Sequence, residues 1–209
     1  MMAEISSIFK IKGRIGNTIF SGRNGKYYAR AVPASVSNPN TEKQQAVRDR
    51  FRVAVRFYQR LKETPLDEVW RRSGKNAKLT GFALFMRENL KMFDHRGKIV
   101  DYDGLSLATG NRDGVYDLSA SVDDGNRVTL RWAGADDSAY LDQDDRLMVV
   151  LLRGDRAFSP EVVEEVQVTR GEGMAVFPLY RVKDVPVHVY CFFVSPSFST
   201  FSNSQHVVV

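Results

Sequence analysis

Between residues 42 and 61 the apolar positions recur at helical spacing. Val47, Phe51, Ala54, Val55, Tyr58 and Leu61 form one stripe. Thr41 and Gln44 at the start form a capping-box pattern, so the spacing predicts a helix from there to about Leu61. Pro65 opens a shorter helix over "PLDEVWRRS", with Gly74 expected to end it. A third helix, "TGFALFMRENLKMF", presents Phe82, Phe85, Met86, Leu90 and Phe93. Upstream, "TIFSGRNGKYYARAV" reads as a β-hairpin turning at Asn24-Gly25, a pair suited to a type I′ turn. That register sets Arg23 opposite Lys26, Ser21 opposite Tyr28 and Ile19 opposite Arg30. Phe20, Tyr27, Ala29 and Ala31 are expected on the inward face.

After "DHRGKIVDYDGLSLATGNRDG", read as a linker with a short strand "LSLA", the period changes to two. Candidate strands are "VYDLSASV", "RVTLRWA", "DRLMVVLLR", "VVEEVQVT", "GMAVFPLY", "VPVHVYCFFV" and "SQHVVV". Seven short strands with turn signals between them predict an antiparallel β-sandwich of immunoglobulin or fibronectin type III kind. Trp132 is expected in its core, and "HVYCFFV" in a central strand. The fold class is α+β, with a hairpin-plus-three-helix module at 1–98, a linker at 99–114 and a seven-stranded sandwich at 115–209.

The charge sharpens this division. The net charge of +5 combines a basic half with an acidic one. Residues 1–100 carry 21 Lys+Arg against 8 Asp+Glu, and residues 101–209 carry 9 against 17. Two halves of opposite sign suggest different partners, or contact between copies. With 43% hydrophobic residues the chain has enough apolar material for a core. A single cysteine, Cys191, excludes an internal disulfide. No secretory leader is recognised in "MMAEISSIFKIKGRIGN", and no apolar run is long enough to span a membrane. The expected location is the cytoplasm or a particle assembled there.

The N-terminal pattern "GRIGNTIF…GKYYAR…P…NPNTEKQQAVRDRF" resembles the opening of an uncharacterised bacterial family of unknown function. Its G-x-x-G-N arm and N-P-x-T-x-x-Q-x-x-x-R-x-x-F helix map onto Gly13, Gly16, Asn17, Asn38, Pro39, Thr41, Gln45 (or Gln44), Arg48 and Phe51. The "SNS" at 202–204 is similar to the family's closing strand. The resemblance implies the order of a helical region and a β-sandwich, and brings no activity with it.

Three sets of residues are candidates for chemistry. Arg48, Arg52, Arg56 and Arg60 recur every four residues beside the apolar stripe. With Arg23, Lys26 and Arg30 they form a candidate surface for phosphates or for a docking partner. The plainer reading is a solvated edge, with Glu42, Asp49 and Glu63 neutralising part of the row. The acid run "GADDSAYLDQDD" holds Asp136, Asp137, Asp142, Asp144 and Asp145, but its spacing is not that of an EF-hand, and a solvated loop is favoured. His95, His188 and His206 are widely spaced and read as packing residues. His188 and Cys191 stand at odd spacing on one strand and so point to opposite faces. The serine-rich "SPSFSTFSNS" reads as a polar loop. With no nucleophile elbow, Walker A or H-E-x-x-H, and no cofactor or metal motif, an enzyme is the least favoured reading.

The leading expectation is a non-enzymatic structural or interaction protein that self-assembles head to tail or docks on a larger particle. One alternative is a nucleic-acid-binding protein. Another is a carbohydrate- or surface-binding module, which requires exposed aromatics on the sandwich, such as Tyr140, Phe158, Phe198 and Phe201, grouped on one face.

Overall fold

The computed structural model describes residues 2–5, 12–23, 26–35, 38–133, 142–180 and 185–209. The chain forms two compact units, Met1–Thr41 and Glu42–Val209. This division differs from the partition at residues 98 and 115 expected from the pattern of helices and strands.

The first unit is a four-stranded antiparallel sheet of β1 (Met2–Ile5), β2 (Gly13–Ile15), β3 (Thr18–Arg23) and β4 (Lys26–Ala31), in the order β1-β4-β3-β2. The β3–β4 register pairs Arg23 with Lys26, Ser21 with Tyr28 and Ile19 with Arg30, as the hairpin pattern predicts. Asn24 and Gly25, at the turn, lie outside the described residues. Gly16 holds φ +55° in the two-residue turn that returns β2 to β3, a left-handed conformation natural to glycine. Among the described side chains of this unit none is buried. Phe20, Tyr27 and Ala29 are only half-covered and Ala31 is exposed, so the face expected to pack inward reaches no core there.

The second unit opens with α1 (Glu42–Leu61), α2 (Leu66–Asn76) and α3 (Gly81–Asn89). Only the C-terminal half of α1 enters the core, through Val53, Ala54, Phe57, Tyr58 and Leu61. The expected stripe is corrected at its N-terminal end. Val47 is 63% exposed and Phe51 46% exposed, because the core does not extend to the first turns of the helix. Gly74 does not end α2, which continues to Asn76. It lies where α2 meets the start of α3, and a Cβ there would stand 2.7 Å from Gly81 N. The glycine permits a close helix–helix approach. Thr80 caps α3 by accepting from Ala83 N at 3.1 Å.

The remaining strands are β5 (Ser119–Val122), β6 (Arg127–Arg131), β7 (Arg146–Arg153), β8 (Glu161–Val162), β9 (Met174–Pro178), β10 (Val187–Val194) and β11 (Gln205–Val208). They form a three-stranded antiparallel sheet, β5-β6-β9, and a four-stranded one, β11-β10-β7-β8. The stretch 162–169, expected as a full strand, contributes only the end of β8. β10 is central, between β7 and β11, and side chains on both of its faces are buried.

Two apolar clusters follow from the alternation of β7 and β10. Val150, Leu152, Tyr190, Phe192 and Val194 join Phe57, Trp70 and Phe85 of the helices. Leu151, Val189, Cys191 and Phe193 on the opposite face join Val128, Leu130, Trp132, Ala175 and Phe177 of the three-stranded sheet. The helices and the three-stranded sheet therefore contribute to clusters on opposite faces of the β7–β10 pair.

The segment 99–114 is not an open linker. Leu105, Leu107 and Ala108 are buried in the helix-side cluster, and "LSLA" forms no strand. Its backbone polar groups are met by side chains. Asn89 binds both the N–H and the C=O of Ser106, at 2.7 and 2.9 Å. Ser204 Oγ accepts from Leu107 N at 3.0 Å, and Asn203 Oδ1 from Gly110 N at 3.1 Å. The serine-rich segment, read as a polar loop, is bound into the fold. Ser202 Oγ accepts from Phe193 N at 2.9 Å, and Ser195 Oγ from Ser199 N and Thr200 N at 3.0 and 3.1 Å. A Cβ on Gly110 would fall 2.0 Å from Phe201 O, so only glycine fits this crossing.

Candidate functional site

The arginine row lies along α1 with Arg48, Arg52, Arg56 and Arg60 all exposed. Arg52 donates to Asp49 at 2.6 Å and Arg60 to Glu63 at 3.2 Å. Such surface pairs contribute about 0–1 kcal/mol each, so they neutralise charge locally more than they hold the fold. Val47 and Phe51 share this exposed part of the helix, and Phe51 meets Phe82 edge-on, with ring centroids 6.3 Å apart. Lys26 and Arg30 are exposed on β4 of the first unit, and Arg23 pairs with Lys26 in the ladder. Lys26 and Arg30 thus belong to the first unit and the helix row to the second.

A second constellation joins residues read singly in the sequence. In the β10–β11 ladder Tyr190 stands opposite His206, and His188 lies diagonally from it. His188 Nδ1 and His206 Nε2 are 2.9 Å apart, and His206 Nδ1 is hydrogen-bonded to the carboxylate of Asp103. Asp103 accepts from His206 Nδ1–H. With both rings neutral, His206 Nε2 then accepts from His188 Nδ1–H, leaving a lone pair on His188 Nε2. Tyr102 stacks flat on His188, with centroids 3.6 Å apart and planes within 1°. Tyr190 donates its hydroxyl to Tyr102 O at 2.8 Å.

Burial and the neighbouring His206 push the His188 pKa down to about 4, while the Asp103 carboxylate acts in the opposite direction. Burial pushes the Tyr190 hydroxyl upward, reinforced by Tyr102, Asp103 and Asp101. This cluster holds a neutral imidazole at neutral pH and couples three separate segments. It has no thiol partner: Cys191 faces the opposite cluster, fully buried, and burial raises its pKa. The predicted opposite facing of His188 and Cys191 is what the strand presents.

A third cluster corrects the reading of the acid run. Asp136, Asp137 and Tyr140 lie outside the described residues. Asp145 is not a solvated loop residue but is fully buried. Its carboxylate accepts from Arg112 at 2.6 and 2.7 Å and from Arg170 at 3.3 Å. Arg170 also donates to Asp113 O and Gly114 O, at 2.9 and 3.1 Å, and its guanidinium lies 3.8 Å from the Phe193 ring centroid. Arg112 donates to Thr200 Oγ1 at 2.7 Å and pairs with Asp142. Trp132, in the core shared by both sheets, donates its Nε1–H to Arg170 O at 2.9 Å. This buried pair, hydrogen-bonded except at Arg170 Nε, ties the segments that supply its partners together. Among the described residues no His, Cys, Asp and Glu form a group that can hold a metal ion.

Of the aromatics named for surface binding, none that is described is exposed. Phe201 is buried, and Phe158 and Phe198 are half-buried against the helix-side cluster. No helix among the described residues is long and apolar enough to cross a membrane.

The arrangement is that of an α+β protein with antiparallel sheets, in which two titratable clusters tie distant segments together. The chain matches the model of a family of unknown function, DUF6266, over residues 10–208 and belongs to that family. The resemblance to an uncharacterised family is thereby borne out. No curated protein matches the chain in sequence.

Proposed function

We propose that this protein is a non-enzymatic interaction protein that docks on the acidic surface of a second copy or of a larger particle. The observation that carries this reading is the exposure of Val47 and Phe51 on the same turns of α1 as Arg48, Arg52 and Arg56. An apolar pair beside cations suits a partner surface with an apolar centre and carboxylates around it. A phosphate backbone would use the arginines and leave the apolar pair without a role. The excess of Asp and Glu over residues 101–209 makes a second copy an electrostatically suitable partner.

We also infer that the two sheets of the second unit form an immunoglobulin- or fibronectin-type sandwich. Lettering β5 to β11 as A, B, C, C′, E, F and G gives A-B-E for one sheet and G-F-C-C′ for the other. The strand order supports this, since immunoglobulin variants also extend the C-F-G sheet at its C edge. Modules of this architecture serve in many proteins as binding or spacing units, an argument by analogy.

Light scattering of the purified protein at low and high salt, with the 260/280 nm absorbance ratio of the same peak, tests the docking. A nucleic-acid-free oligomer that dissociates in salt, and is lost in the triple variant Arg48→Glu, Arg52→Glu, Arg56→Glu, is the expected result. A clean monomer at both salts excludes the second copy and leaves an outside acidic partner. A peak carrying nucleic acid that salt strips away overturns the reading in favour of phosphate binding.

A further inference from the structure

β9 lies at the edge of the sheet β5-β6-β9, and its residues alternate between exposed and buried. Ala175 and Phe177 enter the core shared by the two sheets, while Met174 and Val176 stand 43% and 49% exposed on the outer face. The pairing with β6 closes with Trp132 N donating to Gly173 O at 3.1 Å at one end and Leu179 N to Asn126 O at 2.7 Å at the other. Successive residues of a strand turn their backbone groups to alternate sides, so Met174, Val176 and Pro178 turn theirs away from β6. No hydrogen bond from a described residue reaches these groups. The open run ends beyond Pro178, where Tyr180 O accepts from Arg153.

Strand edges are ordinarily guarded by a charge on the strand, a bulge or a covering segment. β9 sets no charged side chain on its outer face, and only Pro178, which lacks an N–H, limits pairing there. The charges stand one strand further in. The register places Arg131 beside Met174, Thr129 beside Val176 and Arg127 beside Pro178. Both arginines are exposed, and neither guanidinium is hydrogen-bonded or ion-paired to a described residue. Asp123, at the end of β5, is engaged with the backbone, accepting from Arg127 N at 2.8 Å. Neighbouring strands stand about 4.8 Å apart, so an arginine on β6 is long enough to reach across β9 to a strand laid beside it.

We infer that β9 receives an extended acidic peptide segment as an added strand, with two carboxylate side chains flanking an apolar one on the outer face. The unpaired backbone groups call for an extended chain. Met174 and Val176 suit an apolar side chain beside them, and Arg127 and Arg131 suit a carboxylate at either end. β9 of a second copy matches the apolar row but brings the arginines of both copies onto one face with no acid between them. The edge shares no residue with the docking turns of α1, so the two surfaces can fail separately.

The test titrates the ¹⁵N-labelled full chain with the acetylated, amidated peptide Thr-Glu-Thr-Val-Thr-Glu-Thr, following amide chemical shifts. Shifts are expected in residues 173–180 and 127–131, and they are expected to persist in the α1 triple variant. Val176→Pro removes an outward N–H without touching the bonds to β6 and is expected to abolish them, its own spectrum reporting the fold. The double variant Arg127→Gln, Arg131→Gln is expected to weaken binding roughly three- to tenfold, the scale of two exposed ion pairs. No shift in residues 173–180 at millimolar peptide overturns the inference. So does equal binding of the peptide with lysine in place of glutamate, or unchanged binding in both variants. Shifts of the same amides with protein concentration, without peptide, overturn it in favour of a second copy.

Discussion

Asn89, at the end of α3, binds Ser106 as a neighbouring strand would: its Oδ1 accepts from Ser106 N at 2.7 Å and its Nδ2 donates to Ser106 O at 2.9 Å. Asn89 is buried, and the segment it holds carries Leu105 and Leu107 into the core. Asn89→Leu keeps much of the volume but leaves one buried backbone donor and one acceptor unpaired. The expected loss is about 2–4 kcal/mol in urea unfolding, with an unchanged m-value. Loss below about 0.5 kcal/mol would mean that water replaces the amide without cost.

The His188 pKa, lowered to about 4 by burial and by His206, sets a pH dependence of stability. The folded pKa lies below the ordinary value of 6.5, so folding favours the neutral ring. The contribution is complete above about pH 6.5 and is lost as pH falls toward 4. The pair is partly open to solvent, so the expected loss is about 1–2 kcal/mol, less than the full shift implies. His188→Phe keeps an aromatic ring on Tyr102 and is expected to flatten the stability curve over this window. The melting temperature of both proteins across pH 4–7 checks it, and parallel curves would place the dependence elsewhere.

Asp145 is the carboxylate between Arg112 and Arg170, and both it and Arg170 are buried. Asp145→Ala leaves the Arg170 charge without its counter-ion, and the expected cost is about 3–5 kcal/mol. The double variant Asp145→Leu, Arg170→Met removes both charges and is expected to recover part of that loss. Thermal unfolding of the three proteins decides this. A double variant no more stable than Asp145→Ala would show that Arg170 acts chiefly through its bonds to Asp113 O and Gly114 O.

Periodicity alone located the helices and most of the strands, but not β1 or β2, and it also marked "LSLA" and 162–169, of which only Val162 lies in a strand. Alternation along β3 and β4, with a two-residue turn between them, was enough to set Arg23 opposite Lys26, because a hairpin register is a local property. The spacing of apolar residues from 42 to 61 located α1, observed as Glu42–Leu61, since helical hydrogen bonds are local as well. The runs 146–153 and 187–194 were long and apolar enough to announce β7 and β10, the latter buried on both faces. What periodicity cannot carry is how far a core extends along an element. Val47 and Phe51 share the stripe of Ala54 and Leu61, yet only the latter pair reaches the helix-side cluster.

The clusters were decided by the tertiary structure. Asp103, His188 and His206 come from a connecting segment and two strands, and meet only once β10 and β11 are paired in one register. Asp145 looked like any acid of a loop until Arg112 and Arg170, distant in sequence, closed on it. The linker that holds Gly110 and the polar loop after Val194 looked like plain connections because composition does not reveal which backbone groups will be buried. Burial obliges every such group to find a partner, and Asn89, Ser202, Asn203 and Ser204 supply those partners from far along the chain. The sequence by itself determined the three helices, the β3–β4 hairpin and the long strands β7 and β10, because those bonds and periods are local. The tertiary structure determined which polar residues matter, because desolvation, and the pairing it enforces, arises only when distant segments pack.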